Sequence, residues 1–125
     1  MIKQLKSSDI KNFISENKNV ELLDVRTQGE WDDIGKPDGE KLGVKTHFVT
    51  IVRSPDPNAN KEFVEEVKKQ IDPNKQLLII CKAGGRSMMA AQLLSQEEIK
   101  CINISDGFEG NGENFGWKQE GLPSK

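Results

Sequence analysis

An open, mainly parallel α/β sheet of five strands, with helices on both faces, is the fold class this sequence predicts. Three observations carry the prediction. Short runs rich in Val, Ile and Leu alternate four times with segments of helical periodicity. The runs at 20–25 and 76–80 are apolar almost throughout, as strands covered on both faces are. Parallel neighbours need crossover helices, and the alternation supplies them. The 125 residues contain no internal repeat and no long linker, so a single domain spanning 1–125 is expected.

Each element has its own reason. Residues 2–5 form a weak first strand, after which Ser7 or Ser8 can cap a helix carrying Ile10, Phe13 and Ile14 on one face. The second strand is 20–25. Thr27-Gln28-Gly29-Glu30 then has the form of a capping box, with Trp31 and Ile34 as the apolar side of a short helix. Residues 35–43 read as loop, and the β-branched stretch 47–52 as a third strand. The prolines at 55 and 57 break the chain. Asn60 can cap the next helix, bearing Phe63, Val64, Val67 and Ile71, and Pro73 stops it. A fourth strand at 76–80, a Met-, Ala- and Leu-rich helix at 86–96 and a short fifth strand at 102–104 follow. The glycine-rich remainder is mostly loop.

Composition narrows the function classes. A net charge of −2, with 18 basic residues scattered along the chain, argues against nucleic-acid binding. No apolar window approaches a membrane span and the N-terminus has no apolar leader core, so a cytoplasmic protein without membrane association is expected. One histidine and two well-separated cysteines make no metal-ligand set, and no metal or other cofactor is expected. Cys81 and Cys101 read as free thiols. Cys101, at the start of a strand, is expected to pack as a small apolar side chain, with a resolving role as the minor alternative. His47, inside an apolar strand, favours a structural role over pairing with a nucleophile. Met88 and Met89 read as the packing face of their helix, and Asp32 and Asp33 as a solvated helix end.

The richest feature is Cys81-Lys82-Ala83-Gly84-Gly85-Arg86-Ser87, which joins a strand to a helix. Ligands in open α/β sheets bind beyond the carboxyl ends of the strands, where Cys81 falls. A free cysteine is only about 3% ionised at pH 7, and thiolate chemistry needs that fraction raised. A helix N-terminus, converging amides and the nearby Lys82 and Arg86 all favour the anion. Gly84 and Gly85 allow the positive φ that an inward-curled loop requires. The stretch lacks the Gly-Lys-Ser/Thr ending of a nucleotide phosphate loop and the glycine pattern of a dinucleotide site. The plain alternative is a buried cysteine followed by an ordinary glycine turn.

Four segments together resemble a rhodanese (sulfurtransferase) domain. Residues 22–27 with Glu30 and Trp31 are similar to that family's leading motif, and residues 81–87 to its active-site loop. Asp106-Gly107-Phe108 and residues 117–123 are similar to its closing signatures. The chain departs from the pattern at Gly35-Lys36-Pro37-Asp38-Gly39, where many members carry Gly-His-Ile-x-Gly-Ala. The resemblance implies a rhodanese-like fold and a Cys81 nucleophile. That thiolate would take a sulfane sulfur from a small anionic donor such as thiosulfate and pass it to a thiol or protein acceptor. Amides of residues 82–87 would cradle the charge, while Lys82 and Arg86 draw in the donor. Asp24 and Arg26 would support the pocket, with Arg26 able to pair with Glu30. Related phosphatases have a loop one residue longer between cysteine and arginine, and the shorter ring suits sulfur. A non-catalytic binding module and a cysteine-dependent phosphatase or arsenate reductase stay open as alternatives.

Overall fold

The computed structural model describes residues 2–51 and 59–125. Five parallel strands, β1 (Lys3–Leu5), β2 (Val20–Asp24), β3 (Lys45–Phe48), β4 (Gln76–Ile80) and β5 (Cys101–Ile104), lie in the order β1-β5-β4-β2-β3. The helices are α1 (Ile10–Glu16), α2 (Gln28–Ile34), α3 (Ala59–Gln70) and α4 (Gly85–Ser95). The five-stranded α/β class is as the alternation predicts.

The order of strands sorts the helices between the faces. From β1 to β3 the chain moves one way across the sheet, and from β3 back to β5 it moves the other. Right-handed crossovers therefore place the two sets of helices on opposite sides. Ile10 of α1 and Ile34 of α2 pack with Leu22, Leu78, Ile80, Phe108 and Trp117 on one face. Phe63 and Val67 of α3, with Ala90, Ala91 and Leu94 of α4, pack with Leu23, Leu77 and Ile79 on the other. Successive strand residues point to opposite faces. That alternation carries Cys81, after Leu77 and Ile79, onto the α3–α4 side.

Local details differ from expectation in several places. Ser7 caps nothing: its amide and hydroxyl bind the Asp106 carboxylate at 3.0 and 2.6 Å, and α1 starts after Asp9 without a side-chain cap. A short 3₁₀ turn, Gly39–Leu42, interrupts the expected loop. The third strand lies earlier than 47–52: the Val49 amide still makes the ladder bond to the Asp24 carbonyl at 3.0 Å, but the Ile51 amide bonds the Val25 carbonyl at 3.2 Å, where the regular step would take it to residue 26, so the ladder ends there. Asn60 falls within α3 rather than at its cap. The chain break expected at 54–58 lies outside the described residues. Met89 is exposed rather than packed, while Met88 is partly buried and accepts from the Gln4 amide at 3.2 Å.

Candidate active site

Strand β4 delivers Cys81 to the carboxyl edge of the sheet, next to the point where the chain reverses its direction of crossing. Its sulfur is buried, with Cys81 only 1% exposed, yet it is not surrounded by hydrocarbon alone. The Gly84 amide donates to Sγ at 3.1 Å, and the Ser87 Oγ lies 3.2 Å away. Ser87 donates in turn to Asn103 Oδ1, while Asn103 Nδ2 donates to the Gly84 carbonyl at 3.2 Å and to Gln4 Oε1 at 2.8 Å. The serine has one hydroxyl hydrogen. It serves Asn103 while the sulfur is a thiol and can turn to the sulfur once that is ionised. Asn103 thus organises the loop from β5. A polar residue between Ile102 and Ile104 was the available signal for it, and charge and motif reading passed it by.

The loop is held from behind. Gly84 has φ +105°, and a Cβ there would overlap the Ser105 carbonyl. Gly107, at φ +66°, lies so close to the loop that a Cβ would overlap the Lys82 backbone. Phe108 and Glu109 amides bind the Cys81 and Lys82 carbonyls at 2.8 and 3.0 Å. The Asp106-Gly107-Phe108 segment is therefore the backing of the cysteine loop, and Ser7 anchors it through Asp106. Among the described residues, the amides of Lys82, Ala83, Gly85, Arg86 and Ser87 have no acceptor within the protein. The last three open α4, where first-turn amides are unspent by helix geometry. Gly84 alone of the six serves the sulfur directly.

The charged residues pair differently from the expected scheme. Glu30 binds Arg86, not Arg26: both terminal nitrogens of Arg86 meet its two oxygens, at 2.7 and 2.8 Å. The capping box forms as expected, with Glu30 also accepting from the Thr27 amide at 3.1 Å. The Arg86 hydrogen bonds, against the opposing effect of burial, hold the Glu30 carboxyl down at about 2. The same partner raises the Arg86 pKa. Arg86 is thus not a free cation aimed at a donor. Arg26 is fully buried and forks onto Asp24, with its closest nitrogen at 2.8 Å; it also donates to the Gly35 carbonyl at 2.8 Å. Its guanidinium stacks 4.3 Å above the Phe108 ring. Asp24 and Arg26 brace the segment that backs the cysteine. Lys82, Ala83 and Gly85 are exposed on the loop. An open pocket of about 370 Å³ beside it takes in Glu30, Asp33, Ile34, Lys82 and Glu109.

His47 has no part in this site. Its Nε2 lies 2.8 Å from the buried Glu21 Oε1, which also accepts from the Asp72 amide at 3.2 Å. Cys101 pairs in register with Leu77, four residues before Cys81 on β4, or about 13 Å along the strand. That separation is far beyond disulfide reach. Burial pushes the Cys101 thiol up to about 12. Among the described residues no three His, Cys, Asp or Glu side chains gather as a cation site, and no helix is long and apolar enough to cross a membrane.

Known proteins resemble the chain over its whole length. An uncharacterised protein of Rickettsia prowazekii is 35% identical over 124 residues, covering 98% of this chain and 97% of its own. The crystal structure of Rv0390 from M. tuberculosis superposes with a TM-score of 0.82 at 28% identity, covering 98% of this chain and 96% of that one. The polysulfide-sulfur transferase homodimer of Wolinella succinogenes gives a TM-score of 0.63 at 30% identity, covering 99% of this chain and 78% of that one. Residues 7–113 match the rhodanese-like domain, from the Ser7 anchor through the cysteine loop and its backing segment. The chain belongs to the rhodanese-like domain family.

Proposed function

We propose that the chain is a sulfurtransferase working through a persulfide on Cys81. The thiolate attacks the outer sulfur of a sulfane donor; with thiosulfate, the S–S bond breaks, sulfite leaves with its electron pair, and Cys81 carries S–S⁻. A thiol or protein acceptor, or cyanide in an assay, then takes the terminal sulfur and restores the thiolate. The observation that carries this reading is the loop's supply of donors. One amide already serves Sγ, a hydroxyl lies beside it, and the other loop amides are unspent. Charge on the outer sulfur could be held there throughout. The sulfur-transferring relative from Wolinella succinogenes agrees with the class of chemistry.

One observation favours the non-catalytic alternative: Cys81 is almost inaccessible, so a donor reaches it only if the loop yields. A single measurement separates the readings. The protein is incubated with thiosulfate, digested without reductant, and the peptide holding Cys81 weighed. A gain of one sulfur, absent in Cys81→Ser, supports transfer. An unmodified peptide with the fold intact refutes it, and turnover of a phosphate ester would move the chain to the phosphatase class.

A further inference from the structure

Resting on the sulfur-transfer reading, we propose that this site selects a sulfane donor of low charge, monoanionic rather than dianionic, and that Glu30 is the positioning residue that sets the preference by neutralising Arg86. The loop's arginine would ordinarily be the natural partner for a doubly charged thiosulfate. Here its fork is already occupied by both oxygens of Glu30, at 2.7 and 2.8 Å. Glu30 is not free to swing away, because the same carboxylate accepts from the Thr27 amide and hydroxyl, each at 3.1 Å, closing the α2 capping box. Glu30 is thus held in place, and Arg86 can leave it only by giving up both charge-assisted bonds.

The rest of the approach has the same sign. In the open pocket beside the loop, the Asp33 and Glu109 carboxylates join Glu30, and the lining has one ammonium, that of Lys82. With Arg86 spent on Glu30, the approach carries an excess of negative charge. The loop amides can accept a single negative charge, as the thiolate or the persulfide presents. A second charge on the donor meets carboxylates and no unpaired guanidinium. Donors that bring one charge, or a protein whose basic surface faces this rim, fit the site better than a small dianion.

The test compares thiosulfate with methanethiosulfonate, which replaces one oxyanion by a methyl group and leaves as methanesulfinate. In both, the S–S bond to Cys81 forms as the donor's sulfur–sulfur bond breaks. The wild-type protein is expected to show the higher kcat/KM with methanethiosulfonate. In Glu30→Gln, which keeps a capping side chain but frees Arg86, the ratio should move towards thiosulfate by about fourfold, the effect of one charge at roughly 8 Å after screening at physiological salt. Raising the salt concentration should narrow the same ratio in the wild type, because repulsion is screened. An unchanged ratio in a folded Glu30→Gln protein overturns the proposal, as does a thiosulfate rate that falls with salt. Should Glu30→Gln fail to fold, the salt dependence of the wild type decides alone. If neither donor loads sulfur onto Cys81, sulfur transfer itself falls; if both load equally and charge-independently, only the donor preference does.

Discussion

Replacing Gly107 by alanine tests whether the backing segment holds the cysteine loop. Two costs combine. Gly107 has φ +66°, where a residue with a Cβ loses about 1 kcal/mol. The new Cβ would also overlap the Lys82 carbonyl and the Ala83 amide, which are backbone and cannot swing aside. Relieving the overlap pulls the Phe108 and Glu109 amides from the Cys81 and Lys82 carbonyls, bonds of 2.8 and 3.0 Å worth about 1 kcal/mol each. The total is about 3 kcal/mol, or a fall in Tm of roughly 10 °C for a chain of this size. Gly121 provides the control. It has φ +76° but open space around it, so Gly121→Ala carries only the conformational cost, about 1 kcal/mol. Thermal melts of both variants, with urea titrations at 25 °C, give the difference directly. The Gly107 variant should also load sulfur onto Cys81 more slowly, since its loop is displaced. Melting points within about 2 °C of each other would refute the reasoning, and would mean that the segment can shift without disturbing the loop.

Two further outcomes follow from the ion pair and from the second cysteine. Glu30 is held at about 2, chiefly by the Arg86 hydrogen bonds, against an ordinary 4.5. Its contribution is therefore fully present above 4.5 and is lost as the pH falls towards 2, because the unfolded chain binds the proton first. Urea unfolding between pH 5 and pH 2 should show this loss, and Arg86→Ala should remove it. With the pair partly exposed to water, it is worth on the order of 1 kcal/mol. Identical pH slopes in the two proteins would sink the assignment. Cys101, pushed up to about 12 by burial, should resist alkylation in the folded protein at pH 8. Cys101→Ala should load sulfur on Cys81 at the wild-type rate, and a large loss there would contradict the separation of the two thiols.

Much of the fold was legible because it rests on local rules. Apolar runs at 20–25 and 76–80 are short and read as buried strands, and the alternation with helices argues for a parallel sheet. Thr27 and Glu30 are three residues apart, so their capping box needs nothing from the rest of the chain. Ser7 shows the limit of such reading. It has the chemistry of a cap, but Asp106, 99 residues away, takes both its amide and its hydroxyl. The third strand shows a similar limit: β-branched residues at 49–51 suit a ladder, yet the Ile51 amide meets the Val25 carbonyl one residue short of the regular step and the pairing ends.

At the site, the sequence by itself determined that Cys81 follows the end of β4, that a helix begins within a few residues of it, and that a glycine turns the loop between them, although only Gly84 of the pair Gly84 and Gly85 takes positive φ. These depend on neighbours within a few residues, where backbone sterics and capping act. Pairing among the charges was decided only in three dimensions. Arg26, Glu30 and Arg86 are all long side chains with several possible partners, and Coulomb attraction between them carries no sequence address. The burial of Asp24 beside Arg26, and the placing of Glu30 within reach of Arg86 from a different helix, settle which guanidinium meets which carboxylate. The packing of β5 likewise brings Asn103 under the loop, a contact made by strand order rather than by chain proximity.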